Sequence, residues 1–177
     1  MNQNTGVLYL SVCTTECGFL EQYVVGVGTT SSGMQVVSQI LLNKLVFNIA
    51  VNPTTNMIYV TALQNLLVTI NETSDQIVDE IPITAYANEL RGISVDPSDN
   101  EIFLAGSADC QGFSNCGANT LYVVSGENFG IFATFVASSP FVLQFDPANG
   151  HTYVLYYFSH FLASVIIPHY NVTILLP

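Results

Sequence analysis

One ten-residue phrase recurs along this chain, and no other feature narrows its fold as far. Val51 to Val60, Val-Asn-Pro-Thr-Thr-Asn-Met-Ile-Tyr-Val, is echoed by residues 95–104 (Val-Asp-Pro-Ser-Asp-Asn-Glu-Ile-Phe-Leu) and by 145–154 (Phe-Asp-Pro-Ala-Asn-Gly-His-Thr-Tyr-Val). Asn4 to Leu10 carry its second half. The aromatic landmark falls at Tyr9, Tyr59, Phe103 and Tyr153, with spacings of 50, 44 and 50 residues. A self-similarity of this period indicates a stacked array of one supersecondary unit.

Each unit reads as short strands separated by turn residues, and helical periodicity is almost absent. Strand a ends on Asn or Asp before Pro, and strand b starts after the turn. The second unit is complete: Leu45 to Val51 (a), Met57 to Thr61 (b), Leu66 to Ile70 (c) and Ile77 to Ile83 (d). The third has Gly92 to Asp96, Glu101 to Gly106, Thr120 to Ser125 and Ile131 to Val136, with an enlarged b–c connection over 107–119. The fourth has Phe141 to Asp146, Thr152 to Tyr157, Phe161 to Ile167 and Asn171 to Leu176. The first offers only Gly6 to Val12, Gln22 to Val27 and Met34 to Leu41, with a Gly/Ser/Thr loop over 28–33; its strand a is missing. Strands b and c are apolar on both faces, so each sheet needs cover on both sides. The expectation is an all-β propeller of about four four-stranded blades, the first lacking its innermost strand. Its blades fall near residues 1–43, 44–86, 87–137 and 138–177 of a single unit.

The pattern Val-Asn-Pro-x-Thr-Asn-x-Ile-Tyr-Val-Thr, an apolar strand, then Ile-Val-Asp-Glu-Ile-Pro-Ile, resembles the YVTN-type β-propeller repeat. The likeness is close over 46–83, recognisable over 92–104 and 141–154, and partial over 4–43. It implies a secreted or surface-layer-associated protein and says little about activity, because propellers host unrelated functions. Without its strand a, blade one has an unpaired inner edge, which a protein must cover. Two remedies are available: further blades in a longer polypeptide, or a strand supplied by a neighbouring subunit.

Charge excludes some partners. Lys44 and Arg91 are the only basic residues among 177, against 13 carboxylates, for a formal charge of −11. Nucleic acid needs clustered Lys and Arg to release counterions, and none are present. No basic-then-apolar signal peptide follows Met1. Residues 154–177 lack acidic and basic side chains, but His160, Pro168, His169 and Asn171 interrupt them, so no membrane span is expected.

Candidate sites are few. Cys13 and Cys17, and Cys110 and Cys116, fall in equivalent b–c connections of units one and three. Two local disulfides, each stabilising by roughly 2 kcal/mol, are the simplest account and place the chain in an oxidising, extracellular setting. A four-thiolate zinc site is the competing reading, with spacings that depart from the usual pair of C-x₂₋₄-C motifs. Asn71-Glu72-Thr73 and Asn171-Val172-Thr173 are glycosylation sequons at c–d turns, where a glycan would meet no neighbouring blade. His151, His160 and His169 fall on opposite faces of the blade scheme and make a poor metal site. Asp96 and Asp146, with Asn52 at the matching place, invite an acid/base reading, but an Asx residue before Pro caps its own turn. Arg91 is expected in a surface ion pair with Glu89 or Asp79. The run Tyr156-Tyr157-Phe158 passes beyond strand b and suits a protein interface or a carbohydrate platform.

No nucleophile, positioned base or phosphate loop accompanies these residues. The chain therefore reads as a non-enzymatic extracellular structural module of a surface layer, filament or adhesin, without cofactor, that associates with itself and bears glycans. The alternative is part of a larger ligand-binding or enzymatic ring, quinoprotein-like or lyase-like, with Asn48, Ser94 and Gln144 lining a central pocket.

Overall fold

A computed structural model describes residues 1–13, 22–83, 89–107, 120–136, 140–156, 162–166 and 173–175. These form four antiparallel sheets, each a meander of sequence-consecutive strands. The first sheet holds β1 (Leu8–Cys13), β2 (Gln22–Thr30) and β3 (Gly33–Leu41). The second holds β4 (Val46–Asn52), β5 (Met57–Ala62), β6 (Leu66–Asn71) and β7 (Gln76–Pro82). The third holds β8 (Glu89–Asp96), β9 (Glu101–Ser107), β10 (Thr120–Ser125) and β11 (Ile131–Val136), and the fourth β12 (Pro140–Asp146), β13 (His151–Tyr156), β14 (Leu162–Ile166) and β15 (Thr173–Leu175).

The strands β4, β8 and β12 contact one another in that order, β4 with β8 and β8 with β12. They are therefore the inner strands of a radial fan, the arrangement expected of propeller blades. Among the described residues β1 pairs only with β2, so the first sheet lacks the inner strand that the other three possess.

Sheet-to-sheet packing follows from the strands' two apolar faces. Tyr9, Val24 and Ile40 of the first sheet bury against Ile58, Val60, Val68 and Ile70 of the second. Tyr59 and Leu67, on the second sheet's opposite face, join Ile102, Leu104 and Tyr122 of the third. Burial on both faces of β5 and β6 is what their uninterrupted apolar sequence requires.

Several strand limits differ from expectation. The first strand starts at Leu8, not Gly6, because Gly6 sits at φ +71° within the preceding turn. Residues 28–33 are mostly strand: β2 runs to Thr30, Ser31 and Ser32 turn, and Gly33 at φ +108° opens β3. The inner strand of the third sheet starts at Glu89, three residues before Gly92. Here a register shift between Leu90 and Gly92 breaks the period-two pattern, and the inner strands β4 and β12 carry matching shifts at 46/48 and 140/142.

The bulged residue of the third sheet is Arg91. It pairs with Glu89 and lies 4.9 Å from the ring centre of Phe47, the bulged residue of the sheet before it. The partner is one of the two expected. The setting is not the exposed surface, however, since the two side chains are 30% and 19% accessible. Arg91 thus ties adjacent inner strands together. The other basic residue, Lys44, stands just before β4 and bridges to Glu80 of β7 at 2.7 Å.

Candidate functional site

The recurring phrase folds into the same corner four times. At each, an Asx side chain receives backbone N–H groups two or three residues on. Asn52 Oδ1 accepts from Thr54 and Thr55 at 2.9 and 3.3 Å. Asp96 Oδ1 accepts from the Ser98 amide at 2.8 Å, and Asp146 Oδ1 from Ala148 at 2.9 Å. The fourth is Asn2, whose Oδ1 accepts from Asn4 at 2.9 Å and Thr5 at 3.4 Å. Four residues after each Asx stands a left-handed residue: Gly6 (φ 71°), Asn56 (55°), Asn100 (55°) and Gly150 (72°). Gly and Asn are the residues that tolerate this conformation. The carboxylates considered for acid/base work are therefore engaged in closing their own turns.

Asn2 is not legible in the sequence as a turn cap, because only Met1 stands before it and a strand end cannot be marked there. Its offset of 50 from Asn52 was the available signal. It is fully buried, and its side-chain amide donates to Glu72 of the second sheet.

These corners also join neighbouring sheets. Thr5 Oγ1 donates to Glu72 at 2.8 Å, Asn4 Nδ2 to the Pro53 carbonyl at 2.7 Å, Asn52 Nδ2 to Asn100 Oδ1 at 2.8 Å, and Ser38 Oγ to Asp75 at 2.7 Å. This corrects the expectation for the first sequon. Asn71 ends β6 and accepts from Thr73 and Ser74 at 2.9 and 3.1 Å, but its turn does meet a neighbouring blade, through Glu72 and Asp75.

Inside the fan, the inner strands and their corners enclose a cavity of about 280 Å³. Its walls repeat with the blades: Ile49, Ile93 and Leu143 at one level, and Ala50, Ser94 and Gln144 at the next. Pro53, Pro97 and Pro147 form the rim, with Gln3 at the matching place of the first unit. Of the three residues expected at a pocket, Ser94 and Gln144 line it and Asn48 does not; the Asn48 Oδ1 instead accepts from the Ile49 amide at 2.8 Å. Such a lining can hold an uncharged molecule through apolar contact and one or two amide or hydroxyl hydrogen bonds.

A second cavity, of about 340 Å³, lies between the first two sheets beside Tyr9, Ser38, Glu72 and Asp75. Burial first, then the Glu72 carboxylate and Asp75, hold the Tyr9 phenol well above its ordinary value of 10.0. Burial raises Tyr59 in the same direction, and Thr55 beside its hydroxyl offsets part of this. The folded state thus favours the neutral phenols. Their stabilisation is fully present below the unfolded value near pH 10 and is lost as the pH climbs toward the folded value. The melting temperature is expected to fall from about pH 10 upward, and less steeply in Tyr9→Phe. Equal slopes in thermal melts of the two proteins would remove Tyr9 from the account.

The remaining expected sites are placed as follows. His151 opens β13 with its ring 6.2 Å from that of Tyr153; His160 and His169 lie outside the described residues. Cys13 closes β1 and is not a free thiol, while Cys17, Cys110 and Cys116 lie outside the described residues. So do Asn171, Tyr157 and Phe158; Tyr156 is described only as the last residue of β13. Among the described residues no three of His, Cys, Asp and Glu are grouped as a metal site would need, and no helix is long and apolar enough to cross a membrane.

No family model matches the chain, and no curated protein matches it either. Solved structures do. The WD40 repeats of RRP9 superpose with a TM-score of 0.71 at 9% identity, over 98% of this chain and 48% of that one. Sqt1 of Saccharomyces cerevisiae gives 0.64 at 12%, over 94% and 48%. Dihydro-heme d1 dehydrogenase NirN in complex with DHE gives 0.70 at 8%, over 99% and 36%. The chain therefore spans half or less of the length of these structures. At such identities the likeness carries the fold alone, and the sheets, their order and these superpositions together make the chain an all-β protein of β-propeller blades.

Proposed function

We propose that the chain is a non-enzymatic, extracellular structural module of YVTN-like blades that associates with itself at a cell surface. The observation that carries this reading is the bare flank of the first sheet. Leu8, Leu10, Val12, Met34 and Val36 are all exposed there, in a chain with only 8% charged residues. An apolar sheet face of this kind is a binding surface or an aggregation hazard. Disulfides from Cys13 to Cys17 and Cys110 to Cys116, and glycans at Asn71 and Asn171, belong to the same reading, as does a role for Tyr156 to Phe158 in contacts between modules. Fractionation of the source cells with immunogold labelling tests it. Labelled, sedimentable assemblies in the surface fraction are expected; a soluble cytosolic monomer would overturn it.

A second reading rests on the axial cavity. Ser94 and Gln144 are poised to hold an uncharged ligand, as a binding or enzymatic propeller would. A small molecule that raises the melting temperature of the wild type but not of Gln144→Leu would favour this alternative.

A further inference from the structure

The blades are equivalent, so the repeat itself says what ought to cover each face. Positions 8 and 10 of β1 match 58 and 60 of β5, 102 and 104 of β9, and 152 and 154 of β13. In the second and third sheets these positions face the sheet before, and strand alternation sets 152 and 154 on the same side of the fourth. Ile58, Val60, Ile102, Leu104 and Val154 are fully buried there, and Thr152 is 3% exposed. Leu8 and Leu10 hold the same positions at 37% and 44% exposure. The register sets Val27 opposite Leu8, Val25 opposite Leu10, and Val36 opposite Val27, which completes a continuous apolar patch across three strands.

The other flank of the fan is complementary in kind. Tyr9, Tyr59 and Phe103 face the following sheet and are buried. Tyr153 at the same position is only half-buried, and beside it the paired residues Val142 and Leu155 are 39% and 43% exposed. One flank is thus the kind of face that receives a blade elsewhere in the molecule. The opposite flank is the kind that elsewhere covers one.

We infer that two copies of this chain join flank to flank, the first sheet of each receiving the fourth sheet of the other, to close a ring of eight blades. This rests on the self-association reading above and adds its geometry. The arc of four sheets superposes on 48% and 49% of the length of two solved propellers, so a second arc completes about one turn. A head-to-tail contact that closes after two copies ends growth, whereas one that does not close yields a filament. Each copy carries a formal charge of −11, yet none of the flank residues named carries charge at neutral pH, so the charge-poor patches meet directly. Added salt then screens the remaining repulsion and does not weaken the contact.

Light scattering on residues 1–177, folded under oxidising conditions, is expected to give twice the 19.2 kDa chain mass with no larger species. Leu10→Asp disables one flank and Leu155→Asp the other. Each change lies on an exposed position and leaves the fold intact, as circular dichroism would verify. Either variant alone has no competent interface and should be monomeric, with the dissociation constant raised at least about 100-fold. An equimolar mixture of the two regains one competent interface and should form a heterodimer. Rescue on mixing is unique to a head-to-tail contact. A dimer that persists in either single variant, or failure to rescue, overturns the ring. Open-ended polymers of the wild type also overturn the ring but leave the self-associating module standing. A wild-type monomer at about 100 μM, a concentration that saturates micromolar contacts, removes both.

Discussion

Gly92→Ala is expected to lower the free energy of unfolding by about 3 kcal/mol, at the upper end of the cost of overpacking. A β-carbon at this position would lie 2.5 Å from the carbonyl oxygen of Phe141 and 3.1 Å from the Ala105 β-carbon. The first contact is decisive, because a backbone oxygen in a paired strand cannot swing aside as a side chain can. Gly92 stands where β8 packs against β12, so relief requires the third and fourth sheets to move apart. Gly28→Ala is the internal control. Its nearest neighbours are the γ-carbons of Val37 at 3.3 and 3.4 Å, on an exposed side chain free to shift, and its cost should be well under 1 kcal/mol. Urea denaturation of both variants reads the difference, and equal midpoints would mean that the two inner strands do not approach as described.

Leu104→Ala should cost about 3 to 4 kcal/mol, the usual range for emptying a filled site that cannot collapse. Leu104 is fully buried among Tyr59, Leu67 and Tyr122, where two sheets meet. The comparison that gives this meaning is Leu10→Ala, at the same place in the repeat. In a single chain Leu10 is 44% exposed, and its loss should cost less than about 1 kcal/mol. The same substitution at equivalent positions then measures directly what a covering sheet contributes. Similar losses at both would mean that the first sheet's flank is already covered within one chain.

Much of this architecture was legible because the repeat is carried by backbone necessity. Asn or Asp before Pro, followed four residues on by Asn or Gly, is what a corner with a side-chain-to-backbone bond and one left-handed residue needs. Residues 52, 96 and 146 are accordingly legible as turn caps from the sequence alone. The uninterrupted apolar strands b and c announced cover on both sides. What the sequence does not show depends on relations between blades. Asn2 follows only Met1 and so shows no strand end of the kind that marks Asn52, Asp96 and Asp146, although it is buried and reaches Glu72. The start of β8 at Glu89 was hidden by its bulge, which shifts the alternation by one residue. The sequence offers Arg91 two candidate partners, Glu89 and Asp79, and wrongly suggests a surface position, because its proximity to Phe47 exists only once two inner strands lie side by side. In the second row of the cavity wall Ser94 and Gln144 are legible from the sequence, but the equivalent of Ser94 in the second unit is Ala50, two residues past Asn48.

The corners have a consequence for how the polypeptide acquires its shape. Each is closed by bonds spanning no more than five residues, as between the Gly6 amide and the Asn2 carbonyl or the Gly150 amide and the Asp146 carbonyl. Every sheet is moreover a meander of neighbours in the chain. Nucleation therefore needs little loop closure, and such local contacts form early and fast. Synthesis from the amino end can lay the blades down one after another, each new one settling on a template already in place.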